Sequence, residues 1–208
     1  MKVMIPFKLK NPKSRLSSIL TLDERIHLAK LMLKDVVDVV SKFTDDILIL
    51  VPPNTEVEID AKIEEDSRDL DSAVNARIVG DTAIIMSDLP LLNVKTLKRF
   101  FDCDGDIVIA PGRKGGTNML LIRDERFRVS YHYGSFFKHI AIAERLGLKV
   151  EIFDSFYASL DIDDESDLLE LLMHGKGKRS CEYLRSIGFE VDFSKKDPTL
   201  VRRSNDRF

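Results

Sequence analysis

Residues 21–53 read TLDERIHLAKLMLKDVVDVVSKFTDDILILVPP, and the change of period inside this stretch settles the fold class. Thr21 followed by Glu24 can satisfy two helix-start amides reciprocally, as a capping box. From there Ile26, Ala29, Leu33, Val36, Val37, Val40 and Phe43 recur at helical spacing and make one apolar stripe, with Asp23, Lys30, Lys34 and Asp38 turned to water. The pattern then switches. Ile47–Val51 is an unbroken aliphatic run closed by Pro52 and Pro53, of a length and composition that suit a strand covered on both faces, as in parallel sheets. An amphipathic helix running into a doubly covered strand predicts a layered α/β fold.

Working outward, residues 1–5 ahead of Pro6 read as a short strand, followed by a loop from Pro6 to Leu20, because proline pushes its predecessor to extended geometry. Residues 83–86, 107–110 and 148–153 are further buried-strand runs, and helical patterns fall at 68–78, 94–101 and 136–146. Residues 119–122 follow the run at 107–110 after a short glycine-containing turn, so one antiparallel hairpin is expected to interrupt the parallel order. The expected architecture is a three-layer α/β/α domain over residues 1–175, with a mostly parallel, mixed sheet. From Lys176 onward nine basic residues meet five acidic ones, including Lys195, Lys196 and Arg207, and a short helix at 180–187 is stopped by Gly188. This basic extension, 176–208, is expected to be a contact between copies of the chain, a homodimer, with a solvated appendage or a lid over an anion as alternatives.

Composition excludes several function classes. A chain of 208 residues with 44% hydrophobic content can bury one ordinary core without metal or disulfide staples. A net charge of −3 argues against nucleic acid as the main partner. Cys103 and Cys181 are far apart with no CxxC or Cys/His cluster, which excludes a disulfide framework or zinc site and fits a reducing cytoplasm. No apolar run approaches the ~20 residues of a spanning helix, so a soluble, membrane-free protein is expected. His27, His132, His139 and His174 lack ligand spacing, and with no Ser/His/Asp set or activated cysteine, triad and thiol chemistry are disfavoured.

What remains points to anions and a hard cation. Lys8, Lys10, Lys13 and Arg15 crowd the loop after the first strand, where ligands of open α/β sheets bind, and they suit phosphate. Asp88 lies just beyond the carboxyl end of the run at 83–86, with Pro90 ending the strand, and is too early to cap the helix near Asn93. Asp161 and Asp163 alternate on an extended segment and can face one way, although Asp163 can also be read as the cap of the helix beginning at Glu165. One carboxylate from each cluster could hold magnesium riding on substrate phosphates. The turn Gly112-Arg113-Lys114-Gly115-Gly116 with Thr117 and Asn118 is either a plain hairpin or a polar, close-approach ligand loop. Ser135 is expected to cap the helix after Gly134, leaving open amides for a second anion. Asp71, in the segment 70–73, is a candidate for reading a nucleotide base, with an ordinary helix start as the alternative.

In order, Ile5-Pro6-Phe7-Lys8, Pro12-Lys13-Ser14-Arg15-Leu16, Asp23-Glu24-Arg25, Ser87-Asp88-Leu89-Pro90, Gly115-Gly116-Thr117-Asn118, Gly134-Ser135 and Asp161-Ile162-Asp163 resemble the archaeal 2-phospho-L-lactate guanylyltransferases, the CofC family, over roughly residues 1–173. The resemblance implies a nucleotide-diphospho-sugar transferase (GT-A-like) fold and transfer of GMP from GTP to 2-phospho-L-lactate in coenzyme F-420 biosynthesis. It implies that Lys8, Lys13 and Arg15 hold the GTP triphosphate, and that Asp88 with one or both of Asp161 and Asp163 holds magnesium. Thr117, Asn118, His132, Gly134 and Ser135 are implied around the acceptor, His132 standing where the family usually has glycine. Similar enzymes take phosphoenolpyruvate or 3-phosphoglycerate, and more distant alternatives are a sugar phosphate acceptor or a non-catalytic GTP-binding protein. The glycine-rich loop that relatives carry after strand one is missing from 6–16, so phosphate binding leans on side-chain cations.

Overall fold

The computed structural model describes residues 1–194 and 196–203. Lys195 and Arg207, counted above in the basic extension, lie outside the described residues. Strands β1 (Lys2–Pro6), β2 (Ile47–Val51), β3 (Lys62–Glu65), β4 (Thr82–Ile85), β5 (Ile107–Pro111), β6 (Thr117–Ile122) and β7 (Val150–Ile152) form one sheet in the order β3-β2-β1-β4-β6-β5-β7. Every neighbouring pair is parallel except β4–β6 and β5–β6, so a single strand, β6, runs against the rest. The mixed, mostly parallel α/β fold expected from the aliphatic runs is present, including the β5–β6 hairpin.

Side chains alternate along these strands and feed two separate cores. Val3, Ile5, Ile49, Val51, Ala83 and Ile85 face one side, under α1 (Leu22–Val40) and α3 (Val94–Phe101). Met4, Leu48, Leu50, Ile84, Ile109 and Leu120 face the other, under α2 (Leu70–Asn75) and α4 (Ser135–Arg145). The capping box forms as the sequence predicts, with Thr21 Oγ1 accepting from the Glu24 amide at 3.3 Å and the Glu24 carboxylate accepting from the Thr21 amide at 2.8 Å.

Three expectations need correction. Helix α1 buries two faces rather than one stripe: Arg25, Leu28, Met32 and Asp35 are buried as well, and Lys30 and Lys34 are half-buried instead of turned to water. The second face is covered by the chain's own C-terminal segment, where α7 (Arg179–Ser186) packs on α1 and leads into a separate hairpin, β8 (Phe189–Asp192) and β9 (Thr199–Arg202). Strand β7 is a half-buried edge strand with Ile152 exposed, not a strand covered on both sides. Ser135 does not cap α4. Gly134 does, at φ +69°, a left-handed conformation suited to glycine, while the Ser135 hydroxyl donates to Thr117 Oγ1 at 3.3 Å.

Two further helices complete the described chain, α5 (Phe156–Ser159) and α6 (Glu165–His174). Among the described residues, no helix is long and apolar enough to cross a membrane.

Candidate active site

Two parallel strands and the segment between α5 and α6 bring three loops to one end of the sheet. The first follows β1 and carries Asn11 and Lys13 in left-handed backbone, at φ +47° and +51°, with a single 3-10 turn at Ser14–Leu16. Such conformations disfavour side chains with a Cβ, so something must hold the loop. Buried Arg25 does so from α1, its Nη1 donating to Asn11 Oδ1 and to the Pro12 carbonyl, both at 2.8 Å. The second loop follows β4 and presents Asp88. The third is the extended segment before α6, where Ile162 is buried and donates its amide to the Asp88 carbonyl at 3.1 Å. That alternation turns Asp161 and Asp163 together toward Asp88, as the sequence reading anticipates.

Lys13 joins the three loops. Its Nζ donates to Asp88 Oδ2 at 2.5 Å and to Asp163 Oδ1 at 2.9 Å, across 75 and 150 positions of chain. Burial alone would favour the neutral amine, but the two carboxylates outweigh it and the Lys13 pKa is pushed up to about 12. Arg15 stands farther out, 3.6 Å from Asp163 Oδ2, with its side chain 63% exposed. The pKa of Asp161 is raised, first by burial and then by the charge of Asp88 beside it, with Asn118 Nδ2 donating to its Oδ1 at 3.3 Å.

One oxygen from each of Asp88, Asp161 and Asp163 lies within 4.8 Å of the others. Three carboxylates against one buried ammonium leave surplus negative charge, and a set of hard oxygen donors so spaced fits a divalent cation such as magnesium or manganese. The cap of α6 is Asp164, whose carboxylate accepts from the Ser166 and Asp167 amides, which leaves Asp163 free of capping duty. Asp167 stiffens the segment from below, one oxygen accepting from both the Asp163 and Asp164 amides at 2.9 Å.

Two clefts meet at these carboxylates. One, about 420 Å³, is lined by Phe7, Lys8, Lys13, Met86, Asp88 and Asp163 at one end and by Leu50, Pro52, Leu70 and Ala73 at the other, with Asp66, Arg68 and Asp69 beside the last two. Its size is that of a small-molecule site, and its apolar end suits a flat ring. The other, about 440 Å³, is lined by Arg15, Arg113, Lys114, His132, Ser135, Asp161 and Asp163, so that three cations border it as Lys8, Lys13 and Arg68 border the first. Arg113 and Lys114 are tethered to Asp167 and Asp164 at 3.3 and 3.1 Å, so the β5–β6 turn closes against the start of α6.

Not every anticipated residue reaches these clefts. Thr117 and Asn118, expected to meet an acceptor, are buried and spend their side chains internally. Thr117 Oγ1 lies 2.9 Å from His139 Nδ1, and Asn118 donates to the Ala158 carbonyl at 3.0 Å and to Asp161. The Ser130 amide donates to His139 Nε2, so Nδ1 carries the proton and donates to Thr117. Asp71 does not line the apolar cleft although Leu70 and Ala73 do. Its carboxylate accepts from the Tyr131 amide at 2.7 Å and stands 3.5 Å from His132 Nε2, steadying the loop that carries His132 and Gly134. Arg25, Asn11, Asp167 and His139 were missed as supports. Arg25 and Asp167 sit at positions that read as a helix face and a first helical turn, and nothing in their spacing marks them.

A family model described as guanylyl transferase CofC like matches residues 1–205. A curated relative from Ferroglobus placidus, a 2-phospho-L-lactate guanylyltransferase, is 60% identical over 97% of this chain and 100% of its own. Among solved structures, a nucleotide-diphospho-sugar transferase from Desulfovibrio desulfuricans G20 superposes with a TM-score of 0.75 at 15% identity, covering 89% of this chain and 95% of that one. Rv0371C from Mycobacterium tuberculosis, solved in complex with manganese, does so with a TM-score of 0.51 at 15% identity, covering 83% and 99%. A nucleotidyltransferase fold with cations and carboxylates converging where two clefts join, and a sequence matched along nearly its whole length, place this chain in the family of CofC-like guanylyl transferases.

Proposed function

We propose that this enzyme joins GMP from GTP to 2-phospho-L-lactate, forming lactyl-2-diphospho-5′-guanosine and pyrophosphate in coenzyme F-420 biosynthesis. The observation that carries the reading is the meeting of Lys13, Asp88, Asp161 and Asp163 at the junction of two clefts, each bordered by three Lys or Arg side chains and the first with apolar side chains at its far end. In this reading the guanine enters the apolar end of the first cleft, and Lys8, Lys13 and Arg15 line the path of the triphosphate. Arg15, Arg113, Lys114 and His132 receive the acceptor's phosphate and carboxylate in the second. Asp88, Asp161 and Asp163 would hold a magnesium ion, which when bound supplies positive charge to the α-phosphate and the departing pyrophosphate. The manganese in Rv0371C supports a divalent cation on this fold.

An acceptor phosphate oxygen attacks the α-phosphorus, and the bond to the β-phosphate's bridging oxygen breaks. A phosphate monoester with a second pKa near 6 is largely dianionic at neutral pH, so no side chain has to remove a proton. The histidines agree with this: His139 is buried in a hydrogen-bonded frame and His132 is exposed beside Asp71. The chain's own task is electrostatic, since its cations must offset repulsion between two anionic reactants.

The reaction belongs in the cytoplasm, where GTP is available and Cys103 and Cys181 stay reduced. A homodimer is proposed through the outward side of the C-terminal extension, where Phe193 and Arg203 are exposed, and the solution mass of the intact chain checks it. The activity is tested by pyrophosphate release with GTP, ATP and CTP across 2-phospho-L-lactate, phosphoenolpyruvate, 3-phosphoglycerate and a sugar phosphate. GTP with 2-phospho-L-lactate is expected to be fastest. Tight GTP binding with no turnover on any acceptor would refute the proposal.

A further inference from the structure

Behind the site loops lies a third apolar cluster, and its membership is informative. Leu16 and Leu20 come from the Lys13 loop, Leu91 from the Asp88 loop, and Leu160 and Ile162 from the segment bearing Asp161 and Asp163. The same cluster is closed by Cys181, Leu184 and Phe189 from the C-terminal segment. All three loops therefore share one apolar cluster with the last part of the chain, together with Leu28 and Met32 of α1 and Leu168, Leu171 and Leu172 of α6.

Two polar ties reach from that segment to the loops themselves. Lys178 Nζ donates to the Leu92 carbonyl at 2.6 Å, at the end of the turn that begins at Asp88. Leu92 in turn donates its amide to the Leu89 carbonyl at 3.0 Å, so the turn is closed on itself and fastened at its far end by Lys178. Arg202, stacked over Phe189 at 5.0 Å, donates through Nη1 to the Ile19 carbonyl at 2.7 Å and pairs through Nη2 with Glu24. Ile19 ends the Lys13 loop, and Glu24 is the capping-box carboxylate at the start of α1. One tie thus holds the loop with the aspartate, the other the loop with the lysine. The segment is itself anchored on α1, where both oxygens of buried Asp35 accept from the Arg179 and Ser180 amides at 2.8 and 3.0 Å.

We propose that α7 and the β8–β9 hairpin form an intramolecular brace that sets the spacing of the site loops, with Lys178 and Arg202 as positioning residues for guanylyl transfer. The inference rests on the guanylyl-transfer reading of the site. Its physical basis is that carboxylates gathering a cation, and a lysine gathering phosphate, lose effectiveness when their loops separate by even a fraction of an ångström. Removing a tie leaves the side chains that touch ligands intact but lets the loops drift apart.

The test compares Lys178→Met and Arg202→Met with Arg185→Met in the full-length chain. Arg185 also ties the segment to the body, donating to the Leu172 carbonyl at 2.7 Å, but at the far end of α6 from the site. Four quantities are read: free Mn2+ by electron paramagnetic resonance, KM and kcat for GTP, and the melting temperature. Lys178→Met should weaken Mn2+ binding roughly tenfold, the usual scale for losing a supporting contact behind a metal ligand. Arg202→Met should raise KM for GTP about as much with kcat little changed, and Arg202→Lys should recover most of that loss. Arg185→Met should lower the melting temperature yet leave Mn2+ affinity and KM at wild-type values. Wild-type constants in Lys178→Met and Arg202→Met, or equal impairment in Arg185→Met, would overturn the brace alone. A wild-type chain that binds no Mn2+ and turns over no GTP would overturn both the brace and the activity it serves.

Discussion

His139 makes stability depend on pH in a calculable way. Its ring is fully buried, with Nε2 accepting from the Ser130 amide and Nδ1 facing Thr117. Burial, with a smaller contribution from Lys138, lowers its pKa from 6.5 to about 4. The folded state therefore binds fewer protons than the unfolded state between those values, so stability rises with pH across the window. It is complete above pH 6.5 and is lost as pH falls toward 4. A displacement of that size corresponds to about 3 kcal/mol, at about 1.4 kcal/mol per pH unit in the middle of the window. Urea unfolding of the wild type and of His139→Gln at half-unit intervals from pH 7.5 to 4 isolates the effect. Gln can replace both hydrogen bonds but cannot titrate, and subtracting the two curves cancels the carboxylates that protonate near the acid end. The wild type should lose the extra stability below pH 6.5 while the variant does not. Parallel curves would refute the assignment of a neutral, proton-excluding imidazole.

Other perturbations separate the site from its supports. Asp88→Asn removes the closest partner of Lys13 and one of the clustered carboxylates, and should lower pyrophosphate release by roughly a hundredfold or more with an unchanged far-ultraviolet circular dichroism spectrum. Asp35→Ala strips the acceptor from the Arg179 and Ser180 amides and from the Ser180 hydroxyl, and should cost about 3 kcal/mol in denaturant unfolding. Gly134→Ala should cost only about 1 kcal/mol, because a Cβ there meets no atom within 4 Å and the penalty is the left-handed backbone alone.

How legible all this is from sequence depends on whether a feature is local. The capping box at Thr21 and Glu24, the aliphatic runs and the position of Asp88 beyond a strand depend on near neighbours, and each is found where its spacing predicts. The Asp161 and Asp163 pair follows from strand-like alternation around buried Ile162. Strand β3, reading KIEE and mostly exposed, carries no hydrophobic signal because it is an edge. The second buried face of α1 was invisible for another reason. Arg25 and Asp35 look like solvent residues until their partners, the Pro12 carbonyl and the amides that open α7, are brought across the chain. Thr117 and Asn118 illustrate the same limit, since their residue types suit a ligand as well as they suit an internal frame.

The direction of β6 has a consequence for how such an enzyme can diversify. Because this strand alone runs backwards, the turn joining it to β5 emerges on the same rim as the cleft that Arg113 and Lys114 border. The Gly112 amide donates to the Gly116 carbonyl at 2.9 Å, which seals the base of the turn from the ladder beyond it. Residues added or removed between those glycines would reshape the lip of that cleft without shifting a single strand pairing. On the proposed assignment of the two clefts, selectivity for the acceptor would thus drift by loop length, independently of the half of the molecule proposed to meet the nucleotide.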